Sequence, residues 1–277
     1  MHLTQERIDA YCLSLLADER AAGTISKYRR DLTAFARWLD GRAVTKESAT
    51  AWKACLLNRD YAPRTINSML AALNSFFRFM DWNIKVRFLK VQRQIFRDSA
   101  RELTKEEYDR LLAAAQESDQ ERLALIMETL CATGIRVSEL RYITVEAAKA
   151  GRATITLKGK IRTILLPAKL CRKLVKYAKK QKTAAGEIFL TSSGRGISRR
   201  QVWFELKRLC RAAGVEPTKV FPHNLRHLFA TTFYRASRDI VRLADMLGHS
   251  SIDTTRIYLM VSGTEQQRQL DRLGLVS

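Results

Sequence analysis

The sequence lacks the features of a membrane protein, a secreted protein or a zinc protein. No apolar run approaches the roughly 20 residues of a bilayer-spanning helix, and Met1 to Glu6 lack the basic start and apolar stretch of a signal peptide. The five cysteines are widely spaced, odd in number and without a C-x-x-C pair, which argues against a disulfide framework and a zinc site. We therefore expect a globular cytoplasmic protein with reduced cysteines.

Acidic residues are scarce relative to basic ones. The 49 Lys and Arg exceed the 28 Asp and Glu, which gives a formal net charge of +21. The excess occurs in both parts of the chain, with 17 basic and 9 acidic residues in 1–97 and 32 and 19 in 98–277. A basic surface kept for solubility is the alternative, but a polyanion that contacts both parts explains the distribution better, and nucleic acid is the commonest polyanion.

The first 82 residues show helical periodicity without a strand pattern. Apolar spacing and capping residues predict helices over 4–22, after Thr24, from Thr45 and from Pro63. We expect a four-helix domain over 1–82. Its candidates for phosphate contacts are Lys27, Arg29, Arg30, Lys53, Arg64 and Arg78.

A basic segment without clear periodicity separates this domain from the rest of the chain. Six basic residues, the last of them Arg101, and the single acid Asp98 follow Trp82, so we predict a linker over 83–101 that follows a phosphate backbone. Thr104 and Glu107 then form a capping box that opens a second domain, 102–277.

The second domain is predicted to be mostly helical with a small β element. Two β-type runs, 153–157 and 161–166, flank Lys158-Gly-Lys160 and predict a hairpin, and 187–191 predicts a further short strand. Ser198 caps a strongly basic helix, which is a candidate to lie in the major groove of DNA. The expected fold class is mainly α.

Residues with the chemistry to attack a phosphodiester concentrate in the last sixty positions. His223 and Arg226 are three apart in a helical pattern, so both side chains leave one face and can hold one anion. His249 follows a helix end, and Tyr258 lies near the end of the next short helix. Arg136 follows another helix end, where the helix dipole disfavours a cation unless it meets a phosphate.

A metal site is the competing interpretation of this region. His223 and His227 stand four apart, as zinc ligands can. There is no Glu between them and no evident third ligand, so the sequence favours a site without a metal or other cofactor.

Three segments resemble the signature boxes of the tyrosine recombinases, the integrase and Xer-type site-specific DNA recombinases. They are Ala132–Leu140 (ATGIRVSEL), His223–His227 (HNLRH) and Leu247–Tyr258 (LGHSSIDTTRIY), in the order that the family has them. The first 82 residues resemble the family's helical core-binding domain, and 102–277 its catalytic domain. The resemblance implies DNA cleavage and rejoining through a covalent 3′-phosphotyrosyl intermediate, without metal or ATP.

The resemblance also implies a role for each candidate residue. Arg136 and Arg226 would bracket the scissile phosphate and His249 would hydrogen-bond to it, while Tyr258 would be the nucleophile. His223 would accept or relay the tyrosine proton. A lysine of the hairpin would protonate the leaving 5′ oxygen; the K-G pattern favours Lys158, with Lys160 and Arg162 as alternatives. Glu139 is either a support for Arg136 or a surface acid.

The implied partner is double-stranded DNA with paired half-sites, bound by protomers that form dimers and tetramers through a C-terminal tail from about residue 262. Because the first helix begins near Met1, we expect no additional arm-binding domain, which favours an Xer-like enzyme. A mobile-element integrase, a chromosome-dimer resolvase and an invertase all remain open. Two alternatives in function are a catalytically silent DNA-binding protein of the same fold and a type IB topoisomerase.

Overall fold

The computed structural model describes residues 1–91, 99–157, 160–258, 267–268 and 271–273. Internal contacts divide the chain into two compact units, Met1–Arg93 and Gln94–Ser277. Within the described ranges, no helix is both long enough and apolar enough to cross a membrane. The finer boundaries at 82 and 101 stay predictions.

The first unit consists of four helices around an aromatic core. They are α1 (Gln5–Ala17), α2 (Ala22–Leu39), α3 (Lys46–Asn58) and α4 (Pro63–Phe79). Phe35, Trp52 and Phe77 are buried between them. Aromatic side chains bury large areas, so these residues account for much of the stability of a small unit.

The four predicted helices are confirmed, but two of their boundaries were wrong. Thr45 caps α3 with a capping box, and Pro63 opens α4. The first helix ends at Ala17 rather than near residue 22, because the chain turns through a left-handed residue at Glu19, with φ 54°. The second helix begins at Ala22, so Gly23 lies in its first turn and does not end the first helix. In a first turn the backbone N–H groups have no intrahelical carbonyl to bond.

The segment after α4 is fastened to that helix by two asparagines. Asn74 accepts from the backbone N–H of Val86 and donates to its carbonyl, each at 2.9 Å. Asn67 makes the same pair of bonds to Leu89, at 2.7 and 2.9 Å. The first part of the basic segment 83–101 therefore lies along the first unit, and residues 92–98 lie outside the described residues.

The second unit has eight α-helices between residues 99 and 258. They are α5 (Lys105–Glu117), α6 (Glu121–Thr133), α7 (Val145–Ala150), α8 (Ala168–Lys180), α9 (Arg199–Ala213), α10 (Pro222–Ser237), α11 (Ile240–Leu247) and α12 (Ile252–Thr255). Short 3-10 helices cover Ser99–Arg101, Val137–Tyr142, Pro217–Lys219 and Arg256–Tyr258. Helix α6 is apolar nearly all round, as a central helix must be, and it packs against α10.

The predicted hairpin is confirmed as strands β1 (Arg152–Leu157) and β2 (Lys160–Leu165), paired antiparallel. The further strand predicted at 187–191 was wrong. In the described residues this segment makes only the isolated bridges of Thr144 with Glu187 and of Leu190 with Gly196. Its apolar residues, Ile188 and Phe189, are buried in the core without a strand partner that continues the ladder.

Candidate active site

Two helix ends meet at the buried guanidinium of Arg226. Arg226 is 2% exposed. Its Nη1 donates to the carbonyl of Gly134 at 2.5 Å, and its Nη2 donates to the carbonyl of Leu247 at 2.8 Å. These carbonyls lie at the C-terminal ends of α6 and α11, where the helix dipole concentrates negative charge. The helix ends thus stabilise a cation that would otherwise be costly to bury.

Each of these helix ends needs a glycine. Gly134 and Gly248 have φ of 64° and 65°, in the left-handed region that other residues rarely adopt. A Cβ on Gly134 would lie 2.3 Å from Cδ1 of Phe229, and one on Gly248 would lie 2.5 Å from Nη1 of Arg162. At these two positions, in the first and third sequence boxes, glycine is therefore favoured by the positive φ and by the lack of room for a Cβ.

His249 follows the end of α11 and contacts Arg226 directly. Its Nε2 lies 3.0 Å from Arg226 Nη2, and its Nδ1 lies 2.9 Å from Oγ1 of the buried Thr255. An arginine can only donate, so Nε2 is the acceptor and the ring proton sits on Nδ1. Desolvation, reinforced by Arg226 and Arg136, lowers the pKa of His249 to about 4. The ring is thus neutral at physiological pH.

Tyr258 lies beside the same two side chains. Its ring stacks on His249, with centroids 6.1 Å apart and planes 8° apart, and meets the edge of His227 at 5.0 Å. The side chain is 3% exposed. Desolvation lowers the pKa of Arg226 to about 10, and the nearby Tyr258 phenol partly offsets this shift. Arg226 therefore lies next to the candidate nucleophile.

His223 occupies the first turn of α10 and is exposed. The surrounding protein still removes part of its water, and this desolvation, with the charges of Arg226 and Arg136, lowers its pKa. A neutral imidazole can accept a proton, which is the form a general base requires.

Glu139 holds Arg136 in place. Its carboxylate is 1% exposed. Oε2 accepts from the backbone N–H of Arg136 at 2.8 Å, and Oε1 accepts from its Nη1 at 3.1 Å. The interpretation of Glu139 as a surface acid is wrong. The Arg136 side chain is itself 42% exposed, so the rest of its guanidinium is available to a ligand.

Five of the six predicted site residues line one cavity of about 800 Å³. Its walls are formed by Arg136, Val137, Ser138, Arg199, Arg200, Trp203, Phe221, Pro222, His223, Arg226, His249, Thr254, Ile257 and Tyr258. Lys158 lies outside the described residues, and the same holds for the side chain of Lys160. Arg162, the other alternative on the hairpin, donates to Glu139 and to the carbonyl of Met246.

Sequence reasoning missed two residues of this site and the contacts of a third. Thr255 was within a recognised box, but only the fold shows that its hydroxyl meets His249. Trp203, 47% exposed, projects from the predicted basic helix into the cavity. The contacts of Arg162 join segments too distant in sequence for a local pattern to reveal. In the ranges that the structure describes, no three His, Cys, Asp or Glu side chains are grouped so as to hold a metal ion.

The basic side chains predicted to contact phosphate in the first unit are partly paired. Lys27 and Arg30 both bind the buried Asp31, at 2.5 and 3.2 Å, and Arg29 binds Asp9. In the second unit, α9 buries Val202 and its apolar neighbours and exposes its basic and aromatic face. That face carries Arg199, Arg200, Trp203, Phe204, Lys207, Arg208 and Arg211.

Comparisons with known proteins agree with this arrangement. Residues 101–265 match the phage integrase family, and residues 8–83 match the phage integrase N-terminal SAM-like domain. The tyrosine recombinase XerA of Pyrococcus furiosus is 30% identical over 281 residues, covering 99% of this chain and 96% of that protein. XerC of Roseiflexus castenholzii is 32% identical over 279 residues, covering 91% and 88%.

Solved structures share the fold. The XerH recombinase in a pre-cleavage complex with its difH substrate gives a TM-score of 0.71 at 18% identity, covering 96% of this chain and 84% of that chain. A lambda integrase dimer on a COC′ core site gives 0.73 at 20% identity, covering 92% and 94%. A lambda integrase tetramer on a Holliday junction gives 0.72 at 20% identity, covering 91% and 76%.

Proposed function

The chain belongs to the phage integrase family of tyrosine recombinases, enzymes that cut and rejoin DNA at specific sites, and we propose how its residues perform that reaction. Tyr258 attacks the scissile phosphate and forms a 3′-phosphotyrosyl link. The observation that carries this proposal is the cavity that Tyr258 shares with two arginines and two histidines. Because the new link keeps the energy of the phosphodiester, religation needs no ATP.

The two arginines are proposed to hold the non-bridging oxygens of the phosphate. Arg136 and Arg226 carry fixed positive charge where negative charge builds in the transition state. Their fold-imposed partners, Glu139 for one and two helix-end carbonyls for the other, hold them in position before the DNA arrives. With this charge in place the reaction proceeds without a metal, and activity in excess EDTA is expected.

Three further groups are proposed to manage protons. His223 takes the proton of the Tyr258 phenol, and its lowered pKa keeps it neutral for that task at pH 7. Lys158, at the tip of the hairpin by sequence, protonates the leaving 5′ oxygen. When DNA binds, a phosphate oxygen takes the place of His249 Nε2 as the acceptor of the Arg226 hydrogen bond. His249 Nε2 then donates a hydrogen bond to the phosphate. For this, the ring must either move its proton from Nδ1 to Nε2 or gain a second proton.

The DNA partner is proposed to be a pair of half-sites, each contacted by both units of one protomer. The exposed basic face of α9 adjoins the cavity through Arg199, Arg200 and Trp203, so the helix is suited to the major groove beside the scissile phosphate.

Such an enzyme works where DNA is, and the cysteines that the structure describes are free, so we propose that it works in the cytoplasm.

The protomers are proposed to assemble through the C-terminal tail. The second unit has an apolar groove of about 500 Å³ whose lining includes Tyr108, Leu170, Leu228, Phe229 and Phe233. The tail from Ser262 ends in apolar residues, Leu270, Leu273, Leu275 and Val276, which suit such a groove on a neighbour. Removal of the tail, or Thr232→Trp at the groove, should abolish pairing of protomers on DNA while single half-site binding persists.

A plasmid assay tests the function. Two copies of a site from the DNA that flanks the gene are placed in one supercoiled plasmid, and the enzyme is added in EDTA without ATP. We predict exchange between the sites and no relaxation of a plasmid without them. Relaxation of any supercoiled plasmid would identify a type IB topoisomerase instead. Tight DNA binding without exchange or cleavage would identify a silent DNA-binding protein.

A further inference from the structure

We propose that Arg162, on strand β2, is a positioning residue that locks the two phosphate-binding arginines of the site to each other. This inference rests on the proposed function, and it deepens that function by adding a residue for which the comparisons give no role. The side chain is 17% exposed and both ends of its guanidinium are used. Nη2 donates to Glu139 Oε2 at 2.7 Å, and Nη1 donates to the Met246 carbonyl at 2.9 Å.

The first contact shares one buried carboxylate between two arginines. Glu139 accepts from Arg136 and from Arg162 at the same time. Two guanidiniums divide the carboxylate's charge, so Arg136 keeps donors for a ligand. Without Arg162, Arg136 would be the remaining guanidinium partner of a buried anion, which would draw it away from the cavity.

The second contact fixes the end of helix α11. The carbonyls of Met246 and Leu247 are neighbours in the chain, and they are divided between Arg162 and Arg226. The Arg162 side chain also lies directly on Gly248, where a Cβ would approach its Nη1 to 2.5 Å. The turn that carries His249 is therefore held from one side by Arg162 and from the other by Arg226.

The planar fork of arginine is essential to this role. A lysine would keep the positive charge but has one nitrogen, which cannot make the same two divergent bonds to a carboxylate and a carbonyl. The variant Arg162→Lys therefore keeps the positive charge and removes the two-directional hydrogen bonding. Arg152 on β1 is exposed on the same hairpin, so Arg152→Lys is the matched control.

Single-turnover cleavage of a nicked half-site provides the kinetic test. Arg162→Ala and Arg162→Lys should each form the covalent complex about 100-fold more slowly, the typical cost of a misplaced reacting group. DNA affinity should stay unchanged, and Arg152→Lys should match wild type. The slower cleavage should persist on a substrate with a 5′-bridging phosphorothiolate, whose 5′ thiolate leaves without taking up a proton. The reason is that Arg162 positions the phosphate-binding arginines and does not protonate the leaving group. Rescue by that substrate, or a wild-type rate in Arg162→Lys, would overturn the proposal.

A spectroscopic test on the DNA-free protein separates this proposal from the catalytic one. Nitrogen-15 NMR of wild type should show His249 as the Nδ1–H form, as the Arg226 contact requires. Arg162→Lys should populate the other tautomer, while Arg152→Lys should not. An unchanged His249 spectrum in Arg162→Lys would refute the positioning role whatever the cleavage assay shows. Lack of cleavage by wild type would instead refute the proposed function.

Discussion

Arg226 Nη2 donates a hydrogen bond to His249 Nε2 over 3.0 Å, which places the proton of the imidazole on Nδ1. Nδ1 in turn lies 2.9 Å from the hydroxyl of Thr255. The free enzyme therefore holds His249 as a neutral support for the buried arginine. A phosphate that displaces Nε2 from Arg226 would change the role of the ring from acceptor to donor, so DNA binding and the tautomer of His249 are coupled.

Thr255→Val should weaken this support. The valine has nearly the same shape, but it leaves Nδ1–H without its acceptor in a buried setting, a loss of about 1 to 3 kcal/mol in the free energy of unfolding. Cleavage should slow as well, because His249 no longer fixes Arg226. Urea denaturation and single-turnover cleavage check both effects. Thr255→Ser, which keeps the hydroxyl, is the control; equal losses in the two variants would show that packing alone is responsible.

Acid should destabilise the protein through His249. Its pKa is about 4 in the fold and about 6.5 when unfolded, so between these values the unfolded chain binds the additional proton. The stability contributed by the neutral ring is complete above pH 6.5 and is lost as the pH falls towards 4. Urea denaturation from pH 7 to 4 should show a smaller loss in His249→Gln than in wild type. Parallel curves for the two proteins would contradict the assignment.

Arg226→Lys should impair catalysis far more than its charge suggests. The guanidinium bonds two carbonyls and one imidazole in different directions, which a single ammonium cannot reproduce. We expect cleavage to slow by about 10² to 10³. Arg235→Lys, on the exposed side of the same helix, should leave the rate unchanged. A rate within a few-fold of wild type for Arg226→Lys would remove the geometric argument.

Gly134→Ala should destabilise the fold by about 2 to 3 kcal/mol, because the new methyl group meets both an unfavourable φ and the Phe229 ring. Gly151→Ala is the matched control. Gly151 has a similar φ of 69° but open space around it, so its variant measures the backbone cost alone. Thermal or urea denaturation compares the two, and equal losses would show that Phe229 accommodates the methyl group.

Local sequence patterns predicted many helices of the second unit, because the residues that begin and end each helix lie close together in sequence. Thr104 with Glu107, Gly134 and Ser198 all end or begin helices as their types require. The spacing of His223 and Arg226 correctly indicated one helix face, and the structure brings both into one cavity. Their catalytic roles stay predictions.

The features that sequence reasoning missed depend on contacts between distant segments. Arg162 bonds the carbonyl of Met246, 84 positions away, and no local period encodes that meeting. The sequence left Glu139 open as a support for Arg136 or a surface acid, and only the fold shows that it is buried and shared with Arg162. The strand predicted at 187–191 fails for a related reason: its β-type residues lack a neighbouring strand and pack into the helical core instead.

The covalent bond that we propose between Tyr258 and DNA can be detected directly. Nicked duplexes from the DNA that flanks the gene serve as suicide substrates, because the short fragment released by cleavage diffuses away and traps the intermediate. Wild type and Tyr258→Phe are compared on a denaturing protein gel. We predict a shifted covalent band with wild type alone. A band of equal strength with Tyr258→Phe, or tight binding without any band from wild type, would contradict it.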